Sequence, residues 1–227
     1  MKVKFIILLG LSTLMISCKK ITHVTLVEPS KPGTLSYQLI DDLGRGLSGV
    51  KISLYSAMIK GGDAGAFITP IELSRTDREG FVNFANLLPG NYRVVSDSAM
   101  VNGIIYPTSE YVQVISNLEK KKTVKASDFS GTLKIKLLSN SEPKYPLKNM
   151  VLIAYPHVGP EWSNPRSLVE SARLKGITDE NGLAEIKVPC NFQYGVIIYN
   201  PQNDAVADRS GNYRVDQGGQ TNTTVYY

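Results

Sequence analysis

Two cysteines, two histidines, one tryptophan and a scatter of acids are the side chains of this 227-residue sequence from which chemistry would be drawn. Cys190 stands alone in Val188-Pro189-Cys190-Asn191-Phe192, a setting that reads as a small buried residue and not as a nucleophile. His23 and His157 are far apart in sequence and neither belongs to a paired-histidine metal motif. Asp41, Asp42, Asp77, Glu79, Asp179 and Glu180 offer oxygens of the kind Ca²⁺ takes, but they lack the alternating acidic spacing of a calcium loop. They read as turn residues. No nucleophile elbow and no phosphate-cradling glycine loop is present. The sequence assigns no catalytic residue, no metal site and no cofactor.

Cys18 has a different setting. Met1-Lys2-Val3-Lys4 is a basic start, Phe5 to Ile16 is a short apolar run, and Ser17 is a small residue, which is the order of an export signal. A spanning helix needs about 20 apolar residues, so this run is expected to be removed after export. Met15-Ile16-Ser17-Cys18 resembles the lipobox of bacterial lipoproteins, with Met15 where Leu is usual and Ile16 where a small residue is usual. The resemblance implies a diacylglycerol on the Cys18 sulfur, cleavage before Cys18 and acylation of the new amine. Each buried CH₂ contributes roughly 0.8 kcal/mol, and two acyl chains already anchor stably. Residues 1–17 are then a signal peptide and 18–32 a lipidated cysteine with its tether. Extended at about 3.3–3.6 Å per residue, Lys19 to Pro32 reaches roughly 50 Å. The expected location is the cell envelope, most simply the outer membrane, with its face left open.

Lys2 and Lys4 lie in the leader, so its removal lowers the formal net charge of +5 by two. The densest basic run, Lys120-Lys121-Lys122 with Lys125, has no interleaved aromatic and reads as a solvated strand end, not as a nucleic-acid surface. With Cys18 lipidated, Cys190 has no partner for an intramolecular disulfide, and the fold must rest on hydrophobic cores.

The remainder is a series of short alternating or β-branched runs broken by Gly, Pro, Asn and Asp, the pattern of sandwiches or barrels. Shifted by about 100 residues, the chain matches itself in order. Gly33-Thr34-Leu35 recurs as Gly131-Thr132-Leu133, and Thr76-Asp77-Arg78-Glu79-Gly80 as Thr178-Asp179-Glu180-Asn181-Gly182. Tyr92-Arg93-Val94-Val95 recurs as Tyr194-Gly195-Val196-Ile197, and Tyr111-Val112-Gln113-Val114 is echoed by Tyr213-Arg214-Val215. The period is longer than that of solenoid repeats. Two β-sandwich domains are expected, 33–126 and 130–227. Asn164 to Lys175 reads either as a short helix or as an edge strand.

The segments Gly33–Leu35, Asp41–Val50, Thr76–Phe84 and Asn86–Tyr92 together resemble a carboxypeptidase-regulatory-like domain, one of the transthyretin-like (prealbumin-like) and Cna-B-like sandwiches. The second half is a weaker copy, with Cys190 where Gly90 stands in the first. With the lipobox, the pattern resembles lipoproteins of Bacteroidota. The resemblance implies an all-β fold of two tandem Ig-like or prealbumin-like sandwiches. Some Cna-B-like relatives join Lys and Asn in an isopeptide bond; Lys51 or Lys134 with Asn117 or Asn222 are the residues available for one. In the turns, Asp77 is expected to accept backbone N–H groups in a hairpin-type turn, with φ > 0 at Gly44, Gly46 and Gly80. Tyr92 is expected to be buried with its hydroxyl on the backbone.

The connections Ser56–Leu73 and Pro156–Lys175 are the longest and are the candidate binding surfaces. The second carries His157, Glu161, Trp162, Asn164 and Arg166. Trp162 either stacks on a sugar ring, its polar neighbours bonding hydroxyls, or folds over the sandwich edge. The expected function is a non-enzymatic envelope scaffold or adhesion module with a protein partner; the alternative is a glycan-binding lipoprotein of a polysaccharide-uptake system, and the remote one a hydrolase. The anchor is the sharpest expectation. Cys18→Ser is expected to leave an uncleaved, unlipidated precursor, whereas the unaltered protein should run heavier by intact mass than chain 18–227; an unmodified Cys18 in the mature protein would refute it.

Overall fold

The computed structural model describes residues 30–57, 69–156 and 165–227. Residues 31–227 form one compact unit. Among the described residues it contains two β-sandwiches in tandem, each of seven strands.

The first contains β1 (Gly33–Ile40), β2 (Lys51–Ser56), β3 (Glu72–Arg75), β4 (Phe81–Leu87), β5 (Gly90–Val101), β6 (Ile104–Val114) and β7 (Glu119–Lys125). Its sheets run β4-β1-β7 and β3-β2-β5-β6. After a 3-10 turn at Ala126–Asp128 come β8 (Ser130–Leu138), β9 (Val151–Pro156), helix α1 (Pro165–Ser171), β10 (Lys175–Ile177), β11 (Leu183–Pro189), β12 (Gln193–Asn200), β13 (Ala205–Arg214) and β14 (Gln220–Tyr226). The second pair of sheets, β11-β8-β14 and β10-β9-β12-β13, repeats the first. In both sandwiches the last strand lies parallel to the first, while the other pairings are antiparallel.

Strand alternation builds each core. In β1, Leu35, Tyr37 and Leu39 are fully buried; in β8, Leu133, Ile135 and Leu137 repeat them. Strands β9 and β12 break the alternation and are apolar on both faces, as strands covered on both sides are. The cover is α1: Leu168 packs on Val151, Ile153, Tyr155, Ile197 and Tyr199. The ambiguous segment is therefore a helix followed by an edge strand.

Asp77 and Asp179 serve the turns. Asp77 Oδ1 accepts the amides of Glu79 (3.0 Å) and Phe81 (2.8 Å), and Asp179 Oδ1 those of Asn181 and Leu183 (both 2.8 Å). Neither turn closes a hairpin, contrary to expectation. β3 and β4 lie in different sheets, as do β10 and β11, so the turn carries the chain across the sandwich. The crossing is tight. Gly80 and Gly182 take φ of 80° and 71°, and a Cβ on Gly80 would stand 2.3 Å from the Leu39 carbonyl oxygen. Gly44 has the expected positive φ of 79°, but Gly46 does not; it is glycine because a Cβ would lie 2.1 Å from the Glu79 carbonyl carbon.

The expectation for Tyr92 holds, and Tyr194 repeats the arrangement. Tyr92 donates to the Leu88 carbonyl (2.6 Å) and Tyr194 to that of Pro189 (2.7 Å). Tyr37 is a contrast. Among the described residues its hydroxyl, with those of Ser96 and Thr108, is buried without a well-formed hydrogen bond, although Thr108 lies beside it, and burial pushes its pKa up to about 12. An unsatisfied buried hydroxyl costs stability, and a satisfied one leaves an orphan behind when it is removed. Tyr194→Phe is thus expected to lower unfolding free energy by about 1–3 kcal/mol, and Tyr37→Phe to leave it unchanged or raise it. Urea unfolding of the two variants checks the contrast.

Candidate functional site

Asp42 ties the β1–β2 turn to the linker: its carboxylate accepts the Ser127 hydroxyl and pairs with Lys125 at 3.3 Å. These contacts, the Ser127 bond foremost, hold the Asp42 carboxyl below the usual carboxylate range. Ser130 Oγ–H donates back to the Ser127 carbonyl (2.7 Å), so the linker bonds to itself as well. Phe129 then turns into the first core, 1% exposed. Its carbonyl accepts the Cys190 amide (2.9 Å), and the Cys190 side chain packs in the same core. The two sandwiches therefore share a buried seam. Cys190 is the small buried residue that its sequence setting implied, and burial pushes its thiol pKa up, the opposite of activation.

The seam brings the β5–β6 hairpin of the first sandwich against the second. Asn102 and Gly103 form its two-residue turn, both at positive φ (53° and 76°), as the favoured hairpin turns require. The tip presents Ile104 and Ile105. Facing them are Tyr155 and Pro156 from β9, Leu168 from α1, and Phe192 with Tyr194 at the start of β12. Phe192 meets Tyr194 edge to face, centroids 6.2 Å apart. The result is an open, mainly apolar cleft of about 550 Å³, with Arg173 as the charged group on its wall. Ile105, 42% exposed, is accessible at its rim. A cleft of this make-up suits an apolar side chain or strand edge flanked by an acid.

Of the residues singled out from sequence, Cys18, His157, Glu161, Trp162 and Asn164 lie outside the described residues, as does 58–68 of the first long connection. Arg166 is placed, exposed at the start of α1. Its guanidinium grips Asp204 through two bonds (2.9 and 2.7 Å), and Tyr199 donates to the same carboxylate. This ties the start of α1 to the β12–β13 turn. Asp41 and Asp179 likewise spend their oxygens on turn N–H groups, and Glu180 pairs with Lys148 at 3.0 Å. Among the described residues, no group of three or more His, Cys, Asp or Glu is placed to hold a metal ion. Lys134 and Asn222 do face each other across β8 and β14, but on an outer surface, with the Lys134 ammonium 2.6 Å from Glu185. An ion-paired ammonium in water is no nucleophile, which argues against the isopeptide bond there.

The cleft residues were not legible as a site. Their available signal was Asn102-Gly103 between Val101 and Ile104, a hairpin marker.

No family model and no curated protein matches the chain. Among solved structures, it is similar to the TIE protein of Bacillus anthracis at 18% identity and a TM-score of 0.38, over 87% of this chain and 34% of that one, so it spans about a third of that protein. It is similar to a minor pilin of Streptococcus agalactiae at 14% identity and 0.34, over 86% and 94% of the two chains. The major pilin subunit of Bacillus cereus is 13% identical at 0.37, over 79% and 67%. Likenesses this distant carry nothing about activity or partners.

The Arg166–Asp204 tie sets a pH test. Hydrogen bonds from Arg166, then from Tyr199, hold the Asp204 carboxyl at about 2, against about 3.9 for a free one. A depressed carboxyl supports the fold above its unfolded pKa and loses that support as pH falls through its folded one. The tie should be intact at pH 5 and above and fail as pH drops from about 4 toward 2. Carboxyl NMR titration of Asp204 checks this: Arg166→Gln should raise its midpoint toward the ordinary value.

Proposed function

We propose that this chain is a non-enzymatic lipoprotein of the cell envelope, anchored by lipid on Cys18, whose two joined sandwiches act as a scaffold or binding module for a protein partner. The observation that carries the reading is the seam. Phe129 and Cys190 hold the hairpin tip of one sandwich against α1 and β12 of the other, and that union makes a cleft neither sandwich has alone. A linker built only to space two modules needs no such shared core. Apolar walls with one charged group are the make-up of a protein-contact site. The acids that would serve catalysis are occupied in turns, which supports a binding role over a hydrolytic one.

A photo-crosslinking residue at Ile105, in cells, is expected to join the protein to one discrete envelope partner. Arg173→Glu, which reverses the charge on the cleft wall at an exposed position, should weaken the adduct while the chain stays folded and membrane-bound. A chain that is anchored and folded but gives no adduct at Ile105 would contradict the partner reading without touching the anchor.

A further inference from the structure

A sheet edge exposes a row of unpaired amides and carbonyls, and folded proteins blunt it with short strands, charges, proline or bulges. The four sheets have eight edge strands. β3 and β10 are short, four and three residues. β4, β6 and β13 each carry a register shift against their neighbour, and β6 adds Pro107 and Glu110. β11 carries Glu185 and Lys187 and ends on Pro189. β7 is studded with lysines. β14, Gln220-Thr221-Asn222-Thr223-Thr224-Val225-Tyr226, has no charge, no proline, no glycine and no register shift over seven residues.

β7 supplies the internal control. It occupies the same place in the first sandwich, pairing with Thr34 onward as β14 pairs with Thr132 onward. Val124 and Val225 are buried alike. Yet Lys120, Lys121 and Lys122 are replaced by Thr221, Asn222 and Thr223. In the first sandwich Lys122 also reaches across to Glu110 on β6, 3.5 Å away, closing that flank. In the second the corresponding residues are Thr223 and Asn212, which are neutral.

The backbone at this edge is available. Thr132 N–H donates to the Gly219 carbonyl and Tyr227 N–H to that of Leu138, both at 2.9 Å. Alternate residues of a parallel strand serve a given neighbour. Thr221, Thr223 and Val225 therefore bond to β8, and Asn222 and Thr224 aim their amides and carbonyls away from it; the Thr221 hydroxyl donates to the Arg214 carbonyl at the end of β13 (2.7 Å). Both side chains are exposed.

We propose that β14 is a homodimerisation edge, at which two copies of this chain pair β14 antiparallel to β14 and join their three-stranded sheets into one of six strands. The occupant follows from charge. Paired with itself about Thr223, β14 sets Asn222 opposite Thr224 and brings no like charges together. β7 paired with itself would stack lysine on lysine. Lys134 and Lys136 on β8 would lie three strand spacings from their counterparts, about 14 Å, beyond the screening length of about 8 Å at physiological salt. Lys144, whose ammonium lies 4.7 Å from the Tyr226 ring, sits at one end of β14, and antiparallel pairing about Thr223 carries that end to the partner's Gln220 end, about 20 Å from the partner's own Tyr226. The inference stands apart from both the anchor and the cleft.

Sedimentation of residues 31–227, the compact unit with both cores, tests it. The unaltered protein should show a reversible monomer–dimer equilibrium. In the double variant Asn222→Glu with Thr224→Glu, each acid faces a lysine within its own sheet, at Lys134 and Lys136, so the fold is supported. Across the seam the acids oppose one another, and dimerisation should weaken at least about ten-fold. Amide exchange at Asn222 and Thr224 should slow as concentration rises. A protein that is monomeric at every concentration overturns the proposal. So does a dimer that persists in the double variant, or one that leaves those two amides exchanging fast.

Discussion

Phe129 enters the core of the sandwich that precedes it in the chain, and its carbonyl accepts the amide of Cys190 from the sandwich that follows. Fully burying a phenylalanine contributes roughly 1.5–3 kcal/mol, a sizeable fraction of what holds a small domain together. Release of that side chain would cost the first core one of its aromatics and the second its grip. The hairpin tip, the cleft beneath it and the course of the linker all follow from this contact. One local difference between the copies accompanies it. Where the first copy has Gly90, the second has Cys190, whose side chain packs in the core that Phe129 enters.

The duplication lets each sandwich act as a control for the other. Features that recur are those the fold needs: a carboxylate or hydroxyl collecting turn amides, a glycine under the crossing chain, a tyrosine donating to the carbonyl four or five residues before it. Features that differ mark where the copies took separate roles. Cys190 differs and joins the sandwiches. β14 differs from β7 and exposes a neutral edge. Helix α1 covers β9 and β12, which accordingly lost their polar face.

Much of this was written in the spacing of residues, because turn chemistry is local. Asp179 with Gly182 reads as a turn from four residues of context, and Tyr92 and Tyr194 announce themselves by recurring. What the turn connects is not local. An aspartate that collects amides two and four residues on looks the same whether it closes a hairpin or crosses between sheets, so the crossing had to be seen. Gly46 sits in a run that suggests φ > 0, yet it answers a close approach from Glu79, far along the chain. Helix α1, under two turns long, is too short for a periodic signal. The cleft depends on Ile105 meeting Leu168 across 63 positions, a proximity no motif encodes, and no motif pairs Arg166 with Asp204, 38 residues on.

The shared core is most directly tested by residual dipolar couplings on residues 31–227. If Phe129 and Cys190 hold the sandwiches together, one alignment tensor should fit the amides of both, and Phe129→Ala should split it into two. Two independent tensors in the unaltered protein would show that the sandwiches tumble separately and that no such seam joins them.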